Sequence, residues 1–253
     1  MISFTEAEVL AWITPLLWPF IRTLALFSAL PVLGTRNVPA RVRVALCAFI
    51  VLAAQATLPP MPQVPLDSAL AVLLVVQQVL IGVTLGFAVR VVFTAIEFAG
   101  EIIGLQMGLN FAAFFDPLSA SIATTSSRFF GTTIAWLFIV INGHLLIVMA
   151  LVQSFASFPV GPEPFAFLRS TQPQTWGTEI FQVGLTIALP LVAMLLLVNL
   201  VLGVISRVAS QLNVFSIGFP ITLGVGLLGL MLTLPALQQP FTVALERMLS
   251  HFQ

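Results

Sequence analysis

The chain has 253 residues, of which 59% are hydrophobic and only 7% are charged, and its mean hydropathy is +1.12. A soluble globule of this size needs about a quarter of its residues charged to stay dispersed, so water is excluded as the main solvent and lipid or partner subunits must cover the apolar surface. All nine basic residues are arginine and tyrosine is absent, which excludes catalysis by a Schiff-base lysine, a phosphate-loop lysine or a tyrosine phenol.

Six apolar segments are predicted to cross a membrane, because about 20 mostly apolar residues span the hydrocarbon core. Pro15, Pro19 and Pro190 lie inside these segments and predict bent helices. Asn142 and His144, in the fourth segment, are predicted to make hydrogen bonds between helices. The predicted spans are residues 9–33, 44–58, 69–89, 129–155, 180–205 and 215–237.

Arginine in the connections orients these spans, since positively charged loops stay on the cytoplasmic side. With six spans, both termini are predicted to face the periplasm. The arginines predicted on the cytoplasmic side are Arg36, Arg41, Arg43, Arg90, Arg128 and Arg207.

The stretch 69–115 is nearly unbroken apolar sequence, more than twice as long as a spanning helix, and contains Arg90, Glu97 and Glu101. We predict that a single helix does not hold it. It either folds back as a hairpin or leaves the bilayer to pack against protein, because ionised groups at mid-membrane are costly. A buried ion pair among the three residues is favoured over a proton path along Glu97, Glu101 and Gln106.

Glycines recur every four residues in the same stretch, first at Gly82 and Gly86, and then at Gly100, Gly104 and Gly108. This spacing places each set on one helix face and lets the backbone of a second helix approach closely. Ordinary helix association and a specialised packing role both remain open.

Residues 109–117 follow the last of these glycines and are predicted to form a mobile loop with an apolar tip. An Asp-Pro turn signal ends the segment, and a run of small hydroxyl residues comes next. Its phenylalanines either gate a pore or fill a core beside a helix end. The residues concerned are Leu109, Phe111, Phe114, Phe115, Asp116 and Pro117.

Metal and nucleic-acid sites are not predicted. Cys47 is the only cysteine, so neither an intrachain disulfide nor a four-ligand Cys/His metal cage can form. His144 has no second histidine or spaced acid beside it, and no cofactor is expected. Without a basic run, the balanced charge also argues against nucleic acid as a partner.

An ordered set of motifs runs through nearly the whole chain. The motifs are Trp18-Pro-Phe-Ile-Arg22, Pro31-Val-Leu-Gly34, Val38-Pro-Ala-Arg-Val42, Gln77-Gln-Val-Leu-Ile-Gly-Val-Thr-Leu-Gly-Phe87, Ala99-Gly-Glu-Ile-Ile-Gly-Leu-Gln-Met-Gly108, Asp116-Pro117, Asn142-Gly-His-Leu145, Asn199-Leu-Val-Leu-Gly203, Ser206-Arg207 and Gln211-Leu-Asn-Val-Phe-Ser-Ile-Gly-Phe-Pro220. In this order and combination they resemble the FliR family of the bacterial flagellar type III export gate. The fifth and last motifs resemble flagellar members more than the related virulence-secretion proteins.

The resemblance implies an all-α membrane protein of helical hairpins and kinked apolar helices, forming a single domain over residues 1–253. It implies assembly with FliP and FliQ into a hetero-oligomeric helical gate, and contacts with FlhB and FlhA. The location implied is the bacterial inner membrane, at the flagellar basal body. Unfolded flagellar subunits pass through such a gate, driven by an ATPase and the proton-motive force in other proteins, so the chain itself is expected to catalyse nothing.

The resemblance also implies that residues 109–117 form a pore plug, chiefly through Phe111, Phe114 and Phe115, and that Met107 adds a deformable contact next to it. Two other functions stay open. One is a gate subunit of a virulence-type secretion system. The other is a secondary transporter that uses an inward ionisable group such as Glu101, although convincing inverted repeats are missing.

Overall fold

A computed structural model describes residues 6–34, 38–109, 125–208 and 214–253, and within these ranges all regular secondary structure is helical. This confirms the predicted all-α class. Short 3₁₀ turns are formed by Gln55–Thr57, Pro173–Thr175 and Leu234–Leu237. The α-helices, in chain order, are α1 (Glu6–Ala29), α2 (Ala40–Ala54), α3 (Ala69–Gln106), α4 (Thr125–Val140), α5 (Gly143–Ser157), α6 (Ala166–Thr171), α7 (Gly177–Val208), α8 (Val214–Thr233) and α9 (Gln238–Ser250).

Apolar helices long enough to cross a membrane account for most of the described chain. Five segments pass by length and composition, and the bent pair of α4 and α5 makes a sixth. The prediction of about six hydrophobic segments in a membrane protein is therefore confirmed. The five segments are Trp12–Ala29, Ala40–Thr57, Ala69–Gln106, Gly177–Val208 and Ile217–Ser250.

The longest helix corrects one prediction. The predicted third span ends at residue 89, yet α3 runs unbroken through 38 residues, Ala69–Gln106, and ends before residue 115 as expected. It contains no proline, and at 1.5 Å per residue it is about 57 Å long, whereas the hydrocarbon core is roughly 30 Å thick. A hairpin within α3 is thus excluded. Its excess length favours the other expectation, in which part of the segment leaves the bilayer and is covered by protein.

A second correction concerns the predicted span 129–155. The structure breaks it into α4 and α5, which meet at a bend of 70°. Asn142 lies at the break with φ of 57°, in the left-handed region that asparagine tolerates better than most residues. This residue was expected inside a continuous span, but it redirects the chain between two helices.

The described residues form two compact units, each assembled from discontinuous segments of the chain. The first comprises residues up to Val91, with Asn142–Trp176 and Leu245–Gln253. The second comprises Val92–Ile141 and Gly177–Ala244. The expectation of one domain over residues 1–253 stays a prediction.

The first unit has a core where the proline-rich connection after α2 folds onto α1. Trp18 is fully buried and packs with Val64 and Leu74. Its indole N–H donates a hydrogen bond of 3.3 Å to the carbonyl oxygen of Pro62. Helix α2 also packs against α1. The connection thereby holds the start of α3 beside the middle of α1.

In the second unit, small residues let long helices approach one another. A Cβ placed on Gly184 of α7 would lie 2.7 Å from the ring of Phe98 on α3. A Cβ on Gly229 of α8 would lie 2.7 Å from Cε of Met194 on α7. Both distances are too short for real contacts, so these helices touch at their glycines.

Candidate functional site

The last turns of α3 and the first turns of α4 lie in direct contact. A Cβ on Gly100 would overlap the ring of Phe130, and one on Gly104 would lie 2.7 Å from Cβ of Ser126. The later residue on α3 contacts the earlier residue on α4, so the two helices run antiparallel and form a hairpin. The segment between them starts at the end of this hairpin.

Met107 and Gly108 terminate α3. The amide of Met107 still donates a helical hydrogen bond of 2.9 Å to the carbonyl of Ile103, and its side chain is completely buried. Gly108 has φ of 78°, a left-handed conformation that ends helices and suits glycine. Leu109 is half-buried. Of the predicted plug residues, those outside the described residues are Phe111, Phe114, Phe115, Asp116 and Pro117.

The buried Met107 side chain packs on a glycine of α8. A Cβ on Gly226 would lie 2.7 Å from Cε and 2.8 Å from Sδ of Met107. These distances are closer than real Cβ atoms approach other heavy atoms, so the site accepts no side chain at position 226 without movement of the methionine. Sequence reasoning identified Met107 but not Gly226, whose position in a glycine-rich helix carried no signal of its partner.

The first pair of predicted packing glycines faces α1. A Cβ on Gly82 would lie 2.8 Å from Cβ of Ala25, and one on Gly86 would lie 2.5 Å from Cβ of Ala29. Gly100 and Gly104 face α4 in the same manner, whereas Gly108 serves as a helix terminus. Two glycine faces on one helix therefore receive different neighbours.

The three ionisable groups of α3 lie along one continuous helix. Arg90 is exposed, while Glu97 and Glu101 are half-buried. Arg90 and Glu97 lie two turns apart, about 10 Å along the axis, whereas ion pairs within a helix form over three or four residues. Their pairing stays a prediction. Glu97 instead reaches towards α4, where a Cβ on Gly131 would lie 2.9 Å from its Oε1.

A buried arginine on α1 is the strongest polar feature of the first unit. Arg22 is 0% exposed, and its Nε donates a hydrogen bond of 2.7 Å to Oε1 of Gln78 on α3. Its Nη1 donates to the carbonyl and the hydroxyl oxygen of Ser154 on α5, at 2.8 and 3.0 Å. Its Nη2 donates to the carbonyl of Phe158 at 2.9 Å, and the guanidinium carbon lies 3.7 Å from the ring centre of Phe155.

The hydrogen bonds continue from Gln78 into the connection after α5. Its amide nitrogen donates to Oε1 of Gln77 at 2.9 Å, and the same oxygen accepts from the backbone N–H of Gly161 at 3.2 Å. The amide nitrogen of Gln77 in turn lies 3.4 Å from the carbonyls of Pro159 and Glu163. Two glutamines on α3 thus link the buried cation to residues 159–163.

Every hydrogen-bond acceptor of Arg22 within the described residues is uncharged. A buried cation without a carboxylate is stable only when dipoles and an aromatic face replace its hydration, as they do here. Removing Oε1 of Gln78 leaves the desolvated Nε–H unsatisfied. The arginine therefore ties α1, α3 and α5 in one specific arrangement.

The sequence carried a signal for Arg22 that our reasoning did not use. It is the only arginine inside any of the six predicted spans, and an ionisable group within an apolar helix marks a structural or functional centre. The sequence did not indicate which groups accept its hydrogen bonds, since two of the acceptors are backbone carbonyls, which every residue has.

Comparison with known proteins shows the family of this chain. Residues 13–248 match the family described as bacterial export proteins, family 1. The flagellar biosynthetic protein FliR of Escherichia coli (strain K12) is 44% identical over 244 residues, which cover 95% of this chain and 92% of that protein. FliR of Pectobacterium carotovorum subsp. carotovorum is 42% identical over 238 residues, which cover 93% of this chain and 90% of that protein. FliR of Bacillus subtilis (strain 168) is 29% identical over 240 residues, which cover 90% of this chain and 91% of that protein. The resemblance to the FliR family is confirmed, and the chain belongs to the bacterial export proteins of family 1.

Proposed function

We propose that this chain is the FliR subunit of a flagellar type III export gate in the bacterial inner membrane, at the flagellar basal body. In this role it helps to form and close the pore through which unfolded flagellar subunits pass, and it catalyses no reaction itself. The observation that carries the proposal is the match over residues 13–248, together with relatives named flagellar biosynthetic protein FliR at 42–44% identity over most of the chain.

The partners proposed are FliP and FliQ in a hetero-oligomeric helical gate, with contacts to FlhB and FlhA. Exposed apolar side chains support an assembly of this kind. Phe49 on α2 is 72% exposed and Leu197 on α7 is 64% exposed. Helix α3 is longer than a bilayer is thick, so part of its apolar surface requires cover from protein rather than lipid.

The pore plug is proposed at residues 109–117, with Phe111, Phe114 and Phe115 as the occluding side chains. The geometry that supports it is the antiparallel contact between the last turns of α3 and the first turns of α4, the two helices that the segment connects. Met107, buried at the base of that segment, supplies an adaptable apolar contact. Large apolar side chains can close a pore both by filling it and by excluding water from it.

Complementation tests the proposal. The chain, expressed in a flagellated bacterium that lacks its own FliR, should restore export of flagellar proteins and swimming. Purification in mild detergent should yield a large hetero-oligomer whose measured mass exceeds that of one chain several-fold. A stable lone chain that moves a small solute into vesicles would instead identify a transporter, and rescue of a virulence-type system alone would place the chain in that class.

A further inference from the structure

The segment Leu245–Gln253 belongs to the first unit and has two different faces. One face is polar and exposed, and consists of Glu246, Arg247 and Ser250. The buried side chains recur every three or four residues, which places them together on the other face of a helix. They are Leu245, Met248, Leu249 and Phe252. The segment therefore packs on the unit by one face only.

Phe252 contacts both ends of the connection between α5 and α7. Its ring centre lies 6.2 Å from that of Phe158, which follows the last residue of α5. It also lies 6.1 Å from the ring centre of Trp176, which precedes the first residue of α7. Aromatic pairs at these distances attract each other beyond the effect of buried area. One fully buried side chain thus holds the two ends of residues 158–176 together.

Trp176 is held in place by other rings. It is 2% exposed, and its indole N–H meets no hydrogen-bond acceptor within the described residues. Besides Phe252, it stacks on Phe87 of α3 at 6.0 Å and on His251 at 5.6 Å. A buried N–H without an acceptor costs free energy, so the indole stays buried only while its ring contacts outweigh that cost. Loss of a ring partner therefore favours exposure of Trp176 to water.

Phe158 joins this aromatic cluster to the buried arginine. Its ring contacts Phe252 and also Phe167, at 6.2 Å, and its carbonyl accepts the hydrogen bond of 2.9 Å from Nη2 of Arg22. Arg22 keeps its bonds to Gln78 and to Ser154 whether or not Phe252 is in place. The connection can therefore loosen while α1, α3 and α5 remain tied together.

We infer that the segment Leu245–Gln253 is a strap that keeps residues 158–176 closed on the first unit, with Phe252 as its fastening residue. His251 supports it from the exposed side of Trp176. The inference goes beyond the proposed function, because it depends on the contacts of the first unit alone. Opening of the strap is a local event, of the kind in which one part of a protein opens while the rest stays folded.

Hydrogen exchange in the isolated full-length protein complex tests the strap. Phe252→Ala should raise the exchange rate of backbone amides in residues 158–176 several-fold above the parent. The rate in residues 125–140 of α4 should stay unchanged, because α4 has no part in the ring contacts of Phe252. Gln253→Ala, at the exposed neighbouring position, is the matched control and should exchange like the parent.

A second variant covers the case in which Phe252→Ala does not assemble. His251→Ala removes an exposed side chain and leaves the buried face of the strap intact. It should raise exchange around Trp176, where its ring is lost, and Ser250→Ala should not. Unchanged exchange in 158–176 would overturn the inference. An equal rise in 125–140 would also overturn it, since the side chain would then stabilise the whole protein and not one connection.

The outcome is independent of the proposed function. A parent chain that restores no export would contradict the assignment as a gate subunit and leave the strap standing. A chain that restores export, but whose Phe252→Ala variant exchanges like the parent, would remove the strap and leave that assignment standing.

Discussion

Nε of Arg22 donates a hydrogen bond of 2.7 Å to Oε1 of Gln78, which joins two helices at positions 56 residues apart. The contact lies beside a close approach of α3 to α1, because Gly82, one turn after Gln78, removes the side chain that would otherwise meet Ala25. The polar bond and the glycine contact therefore share one face of α3.

Arg22→Lys should destabilise the protein although the positive charge is kept. An ammonium group cannot reproduce the planar fork that reaches Gln78, Ser154 and Phe158, nor the same contact with Phe155. The expected loss is about 2–4 kcal/mol, from unsatisfied buried acceptors. Thermal unfolding of the purified assembly measures it. Arg41→Lys, at an exposed position of α2, is the matched control, and equal unfolding temperatures for the two variants would contradict the prediction.

Gln78→Leu should cost more stability than Ser154→Ala. The first leaves Nε–H of Arg22 without an acceptor, at a cost of about 1–3 kcal/mol. The second removes a hydroxyl, but the carbonyl of Ser154 still accepts from Nη1 at 2.8 Å. Thermal unfolding of both variants, with exposed Gln153→Leu on α5 as the control, gives the order. A larger loss in Ser154→Ala would show that the hydroxyl, not the glutamine, dominates.

Gly82→Ala should force α1 and α3 apart. The new methyl would approach Cβ of Ala25 to 2.8 Å and the backbone nitrogen of Leu26 to 3.0 Å, neither of which can rotate away. We expect a loss of about 1–3 kcal/mol. Gly203→Ala has nothing within 4 Å and should be neutral or stabilising by up to about 1 kcal/mol, because alanine favours helix. Assembly yield and thermal unfolding check both, and a stable Gly82→Ala variant would refute the close approach.

Asn142→Val should weaken the junction of α4 and α5, while Asn142→Gly should be tolerated. A β-branched residue at φ of 57° is strained by about 1–2 kcal/mol, whereas glycine is not. Asn199→Val, within the continuous helix α7, is the control. Unfolding measurements that rank the two substitutions at 142 equally would mean that the left-handed conformation is not maintained.

Replacing Phe111, Phe114 and Phe115 together by alanine should make the assembled gate leak ions, because the apolar volume proposed to fill the pore is removed. Membrane conductance, or uptake of a small dye at equal amounts of complex, measures the leak. Phe49→Ala, at an exposed position of α2, should not increase it. A triple variant as tight as the parent would withdraw the plug assignment.

Composition and local pattern were sufficient for the class and the number of apolar segments. Long runs of apolar residues form helices in any surroundings without water, because backbone groups must then bond within the segment. Glycine spacing likewise indicated which faces of α3 receive other helices. These features depend on near neighbours in the chain, so the sequence determined them directly.

The continuity of α3 and the bend at Asn142 do not follow from near neighbours in the chain. The predicted span ends at residue 89, next to Arg90, but a helix can carry Arg90 and Glu97 where protein or water receives them. Asn142-Gly143 is compatible with a span and with a turn, and only packing on both sides selects the turn.

Tertiary structure alone decided the partners of Arg22 and Met107. The hydrogen bonds of Arg22 reach backbone carbonyls 132 and 136 positions away, and any residue type supplies a carbonyl. Met107 packs against Gly226, and a glycine, which has no side chain, gives no indication in the sequence of the residue that contacts it. Sequence thus determined what must be buried, and the folded chain determined which distant atoms satisfy the buried groups, because carbonyls and empty space carry no signature in the residues that provide them.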